Sequence, residues 1–277
     1  MNGTGPALLA VSDLHVAFAE NREVVRRMRP ASPEDWLLVA GDVAERFADV
    51  RWALQTLRPR FAEVVWVPGN HELWTPRDDP VRLRGERRYR HLVALCRSLG
   101  VHTPEDEYPL WTGPGGPATV VPLFLGYDYS FLPDGAHTAE EALELARRAG
   151  VSCTDELLLH PDPYPSRSAW CAARMEYTRR RLDTLDPSCP VVFVNHYPLH
   201  REPTLWLANP EFAPWCGTTR TADWHVRHRT AAVVHGHLHI PRSARIDGVR
   251  FEEVSLGYPS QWRPRGGAPR PRVILPA

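Results

Sequence analysis

Apolar residues in this 277-residue chain gather into short dense runs at positions 7–11, 36–40, 64–67, 191–194 and 231–234. Each run is four or five residues long, most are rich in Val, and turn-forming residues bound them, which predicts buried strands. None alternates with polar residues, the pattern of strands covered on both faces. Between the runs the period lengthens. Ala44, Phe47, Val50, Ala53, Leu54 and Leu57 share one helical face, predicting a helix over 44–57. Similar stretches predict helices over 20–29, 82–99, 139–149 and 169–185, and 119–126 reads as a further strand. Prolines at 161, 163 and 165 make 155–168 a loop, read as a surface connection rather than a cap. Asp247-Gly248 joins two short strand-like segments as a two-residue hairpin.

Every one of the five apolar runs stops at side chains able to bind a metal. The first leads into Ser12-Asp13-Leu14-His15 and the second into Gly41-Asp42. The third leads into Gly69-Asn70-His71-Glu72, the fourth into Asn195-His196, and the fifth into His235-Gly236-His237-Leu238-His239. Ligands collect beyond the carboxyl ends of such strands, so these residues are expected along one sheet edge. Asp13 and Asp42 are 29 positions apart and Asp42 and Asn70 are 28 apart, each interval fitting one strand–crossover–strand unit.

In this order, Asp-x-His, Gly-Asp, Gly-Asn-His-Glu, His and Gly-His-x-His resemble the calcineurin-like metallophosphoesterase superfamily over roughly residues 7–260. The resemblance implies an α/β fold, an αββα sandwich of two central mixed sheets flanked by helices. It also implies a dinuclear centre of Mn, Fe or Zn, with Asp13, His15 and His239 on one ion, Asn70, His196 and His237 on the other, and Asp42 bridging. Two such cations neutralise phosphate oxygens and acidify a bound water into hydroxide. His71, absent from that ligand set, is implied as the general acid that protonates the leaving oxygen, and Glu72 is expected either to orient it or to form a structural salt bridge. His235 matches no ligand position and reads as structural. Tyr129, Tyr197, Arg201 and Arg220 stay outside the expected site. Purple acid phosphatases carry Gly-Asp-x-x-Tyr; here Glu45 occupies the tyrosine position, so a tyrosinate-bound iron is not expected.

Because Asp13 and His239 must meet, one catalytic domain is expected over 1–262, with a variable 73–190 interval. A Pro/Arg/Gly-rich tail over 263–277, expected to be solvated and partly mobile, follows it. Composition narrows the function. The 33 basic and 33 acidic residues cancel, so no global field favours extended nucleic acid or an anionic membrane. All 33 basic residues are Arg, which excludes Schiff-base and P-loop lysine chemistry. Five scattered cysteines make no disulfide framework and suit a reducing compartment. The first apolar run is too short for a signal peptide or a membrane span, so a cytoplasmic enzyme is expected.

The expected reaction is metal-dependent hydrolysis of a small phosphomonoester or phosphodiester, a phosphorylated metabolite or nucleotide. The ligand set does not separate phosphatase from phosphodiesterase. A nuclease of the same superfamily and a non-catalytic interaction module with this fold are the alternatives. The first wants a basic groove; the second would have lost ligands that this chain keeps.

Overall fold

The computed structural model describes residues 5–277; the first four residues of the expected 1–262 domain lie outside the described residues. The chain begins with three parallel strands, β1 (Leu8–Val11), β2 (Trp36–Val39) and β3 (Glu63–Trp66), crossed over by α1 (Ala19–Arg27) and α2 (Phe47–Leu57). A one-turn helix, α3 (Asn70–Leu73), follows β3, and α4 (Gly85–Ser98) packs behind it. The second half supplies β4 (Leu110–Trp111), β5 (Ala118–Pro122), α5 (Ala139–Arg148), α6 (Asp155–Leu158), α7 (Arg167–Leu182), β6 (Val191–Val194), α8 (Trp224–Arg227) and β7 (Thr230–His235). The hairpin of β8 (Arg242–Ile246) and β9 (Val249–Glu253), then α9 (Pro259–Trp262) and β10 (Arg272–Leu275), complete it.

Two sheets form, in the orders β10-β1-β2-β3 and β4-β5-β6-β7-β9-β8; the first is parallel except for its β10 edge, and the second is parallel in its centre with both edges antiparallel. The five predicted strands therefore divide three and two between the sheets rather than lining a single edge. Alternate residues explain the unbroken apolar runs. Leu8, Ala10, Leu38 and Val65 face Val120, Val192 and Val234 between the sheets. Leu37, Val39 and Val64 pack outward on Val25, Leu54 and Leu92 of the first helical layer. Val121, Phe193 and Val233 pack outward on Met175 and Trp224 of the second. That is the αββα sandwich.

Two expectations need correction. The first turn of the predicted 155–168 loop is helical, because the apolar run Leu157-Leu158-Leu159 precedes the prolines, which break the helix only from Leu159 onward. The segment 263–277 is not a solvated tail throughout. Its last apolar residues pair with the free edge of β1, with Leu275 opposite Leu8, and Ile274 and Leu275 are buried. Its arginines stay at the surface or partly exposed, while the adjacent Ile274 and Leu275 at the end of Arg272-Val273-Ile274-Leu275 supply the buried residues. A four-residue strand of this kind is hidden in sequence by the Pro and Gly that precede it.

This placement has a measurable consequence. Ile274→Ala should lower unfolding stability by about 2–5 kcal/mol in a denaturant titration, as core truncations do. A solvated position would change it by less than about 0.5 kcal/mol.

Candidate metal centre

The carboxyl ends of β1, β2 and β3 meet those of β6 and β7, and the side chains that follow the five apolar runs come together there. Five of them, Asp13, His15, Asp42, His237 and His239, have positive φ between 40° and 71°. Only two other non-glycine residues among those described share that conformation. Left-handed backbone costs of order 1–3 kcal/mol per residue and persists where surrounding contacts over-determine it. Here it turns each side chain back over its strand end. Gly69 and Gly236 make the close approach possible: a Cβ on the first would overlap the Asp42 carboxylate, and on the second the Ser12 and Asp13 side chains.

Each carboxylate divides its two oxygens between scaffold and centre. Asp13 Oδ2 accepts hydrogen bonds from Ser12 Oγ and Ser255 Oγ at 2.6 Å and from the His237 amide at 3.1 Å. Its Oδ1 is left facing His239 Nε2 at 3.0 Å. Asp42 Oδ1 accepts the His71 amide at 2.9 Å, while Oδ2 lies 3.4 Å from His196 Nε2 and 3.7 Å from His71 Nε2.

The imidazoles are fixed in the same way. His196 Nδ1 donates to the Ala40 carbonyl at 2.9 Å and His239 Nδ1 donates to Gln261 Oε1 at 2.8 Å, so both present Nε2 to the centre. His15 Nε2 stands 3.2 Å from His239 Nε2. His15 Nδ1 and His237 Nε2 are buried without a hydrogen-bond partner. Asn70 Oδ1 points at His196 Nε2 from 3.1 Å, and its Nδ2 donates to Asp155 Oδ1 at 2.9 Å. The ligating atoms form three tight groups: Asp13, His15 and His239; His15, Asp42 and His71; Asp42, His196 and His237.

Charge follows from this crowding of acceptors. Burial would raise the Asp13 and Asp42 carboxyls, but the surrounding imidazoles hold both below the usual range. Burial opposes charge on His196 and His71 too, yet Asp42 outweighs it, lifting His196 to about 10 and, with Glu45, His71 to about 9. His15 and His237 go the other way, driven down mainly by burial and then by neighbouring imidazoles, His237 to about 3. The pocket thus demands positive charge and keeps neutral imidazoles ready beside it. Hard oxygens mixed with imidazole are the donor set of a transition-metal centre, and the residues fit one.

The sequence model of the calcineurin-like phosphoesterase family matches residues 7–241. The chain belongs to that family. A curated relative, the [acyl-carrier-protein] phosphodiesterase PptH of Mycobacterium tuberculosis, is 55% identical over 274 residues, covering 99% of this chain and 85% of the relative. The crystal structure of phosphopantetheinyl hydrolase (PptH) from the same organism superposes with a TM-score of 0.97 at 55% identity, covering 99% of this chain and 98% of that one. A dimetal phosphatase from Danio rerio is a distant likeness, with TM-score 0.46, 14% identity, and coverage of 91% and 87%. The phosphoesterase described here is a metal-dependent phosphoric ester hydrolase, and its family implies a dinuclear divalent metal site.

Three partners of the centre lie outside what the sequence pattern predicts. Glu72 does not orient His71. Its carboxylate accepts the amides of Asp42, Val43 and Gly69 at 2.9, 2.8 and 3.0 Å, and so shapes the loop that carries Asp42. Glu45 takes the expected role instead, with Oε1 2.7 Å from His71 Nδ1. A signal for it is present: Glu45 occupies the position where a purple acid phosphatase places a metal-binding tyrosine, a position that reaches the centre. Asp155 opens the segment expected to be a surface connection. No spacing marks it, since it lies 85 positions from the Asn70 amide it holds.

The centre opens into a cavity of about 640 Å³. It is lined by Asn70, His71, Trp74 and Tyr258 together with residues 150–154, Leu207, Phe212 and Ile240. The 73–190 interval therefore contributes part of the wall.

Glu72→Gln offers a direct test of the corrected role. Every neighbour of the carboxylate is a donor, so an amide N–H₂ must face another N–H. We expect a loss of about 2–4 kcal/mol in urea unfolding, from broken charge-assisted bonds. A change within about 0.5 kcal/mol would count against Glu72 as the organiser of that loop.

Proposed function

We propose that this phosphoesterase hydrolyses the phosphodiester joining a phosphopantetheine arm to a serine of an acyl carrier protein. The observation that carries this reading is 55% identity over 99% of the chain to a phosphodiesterase named for that substrate. The expectation of a small free ester narrows accordingly, to a small arm borne on a protein. The cavity supports the division. A volume of about 640 Å³ admits the arm and the phosphate but not a folded domain, so the carrier stays at the mouth. The apolar wall of Leu207, Ala208, Phe212 and Ile240 suits a flexible chain of methylenes and amides.

Asp13, His15 and His239 would hold one metal ion and Asn70, His196 and His237 the other, with Asp42 shared by the two. Two of the tight donor groups support this division. When bound, the ions supply the charge that offsets the phosphate oxygens and activate water as the nucleophile. Water then attacks phosphorus and the bond to the serine oxygen breaks, leaving phosphopantetheine and a free serine. His71 provides the proton that oxygen needs. Glu45 accepts from Nδ1–H, so in the protonated ring the second proton sits on Nε2, the atom turned toward the reaction, and the Trp74 ring stacks on the imidazole at 3.7 Å. Among the described residues no helix is long and apolar enough to cross a membrane, and all five cysteines are free. A cytoplasmic setting is consistent with both.

Two experiments test the proposal. Purified protein should contain about two transition-metal ions per chain and convert a holo acyl carrier protein to its apo form, read by intact-protein mass spectrometry. Chelation should stop the conversion, Mn, Fe or Zn should restore it, and Asp42→Asn should be the most damaging ligand change. A metal-loaded enzyme that leaves the carrier intact while cleaving nitrophenyl esters would exclude the carrier substrate. The second experiment concerns His71. His71→Asn should retain both metals yet slow cleavage of alkyl esters by roughly 10²–10⁴-fold, the span of general acid catalysis. Aryl esters with acidic leaving groups should suffer much less, and an equal loss for both would remove His71 from this role.

A further inference from the structure

One carboxylate outside the five motifs touches both halves of the proposed chemistry. Asp155 opens α6, is fully buried, and comes from the interval between the third and fourth motif pieces. Its Oδ1 accepts two hydrogen bonds, from Asn70 Nδ2 at 2.9 Å and from Trp74 Nε1 at 2.7 Å. Trp74 in turn stacks on the His71 ring, with centroids 3.7 Å apart and planes inclined by 30°. Oδ2 is buried and has no hydrogen-bond partner.

The chemistry of an amide explains why this matters. Asn70 has one end that can ligate a cation and one end that repels it, and the two ends differ little in shape. Only an acceptor held on the far side decides which end faces the centre. Asp155 is that acceptor, and being a buried acid it cannot donate without first taking up a proton. Trp74 has one N–H, and tying it to the same oxygen fixes the plane of the ring against which His71 rests.

We propose that Asp155 is a positioning residue that turns the Asn70 oxygen toward the metal centre and, through Trp74, sets the plane of the His71 imidazole. This rests on the roles proposed above for Asn70 and His71. It assigns the short helix α6 a function in the reaction, since α6 brings this one carboxylate under α3. Arg167 anchors it from the other side by donating to the Asp155 carbonyl at 2.7 Å.

Three variants separate this role from plain structural support. In Asp155→Ala the Asn70 amide loses its reference, and affinity for one of the two ions should fall 10–100-fold, the usual effect of removing an outer partner of a metal ligand. Titration of the metal-free protein with Mn, followed by elemental analysis, should then show one ion retained and one weakened. Asp155→Asn should recover most of that affinity, because it keeps an acceptor oxygen for Asn70 and Trp74 and places its N–H₂ where Oδ2 has no partner. Trp74→Phe should leave both ions at wild-type affinity but slow alkyl esters more than aryl esters, since only the platform of His71 is disturbed.

Metal binding in Asp155→Ala equal to wild type would overturn the proposal. So would an Asp155→Asn as impaired as the alanine variant, which would mean that charge rather than hydrogen-bond direction matters. If Asp155→Ala does not fold, as judged by circular dichroism, the asparagine and phenylalanine variants still decide the question. Wild-type protein measured alongside keeps the two readings apart. Fewer than two ions in the wild type would undo the proposed centre itself, whereas a normal wild type with a normal Asp155→Ala undoes only this inference.

Discussion

Two carboxylates, Asp13 and Asp42, lie buried at the ends of adjacent parallel strands, and the rest of the molecule is arranged around keeping them there. Burying a charge without compensation is among the most expensive things a fold can do. Here the compensation is divided by oxygen. One oxygen of each acid is satisfied by donors from the scaffold: two serine hydroxyls and an amide for Asp13, an amide for Asp42. The other is left to the imidazoles and to whatever cation joins them. The donors on the scaffold side come from the residue after β1, the segment after β9, the turn after β7 and α3, so the pair is formed only when both sheets have met.

That requirement ties the fold to the chemistry. The apolar runs that build the two sheets are buried on both faces, and their packing brings the strand ends of one sheet against those of the other. Left-handed backbone at five of the site residues is a local cost that packing of this extent sustains. The fully buried Arg88 of α4 adds a cross-brace, donating to the carbonyls of Glu72 and Glu45 at 2.6 Å and pairing with Asp79 at 2.9 Å. One guanidinium thus links the loop that shapes Asp42 to the residue that orients His71. Arg suits this because its planar fork serves several acceptors at once.

Legibility in the sequence divides along the same line. Residues that lie immediately after an apolar run are legible, because the strand sets their position and their chemistry marks them: Asp13, His15, Asp42, Asn70, His71, His196, His237 and His239 all lie at the strand ends that meet. The crossover helices are legible from their period, within a few residues at each end. Partners that reach the centre by tertiary contact are not. Glu72 follows His71 in sequence but its side chain turns under the Asp42 loop, because three backbone amides and the Trp66 indole present donors there. Gln261, Ser255 and Asp155 come from segments whose local patterns say nothing about the site. The last strand is hidden for another reason: its four residues are a β-edge only because β1 offers an unpaired one.

The outer partners also show a rule in what each ligand type requires. A carboxylate has two equivalent oxygens, so Asp13 and Asp42 need only donors on one side to leave the other free. An imidazole has two nitrogens that trade a proton, and an acceptor on Nδ1 settles which one faces inward; the Ala40 carbonyl does this for His196 and Gln261 for His239. An amide has two unlike ends, and only Asn70 among the proposed ligands has that ambiguity. It is also the ligand whose partner is a buried acid, the strongest acceptor a side chain can offer. Misplaced, the Asn70 N–H₂ would direct positive charge at a centre meant to hold cations.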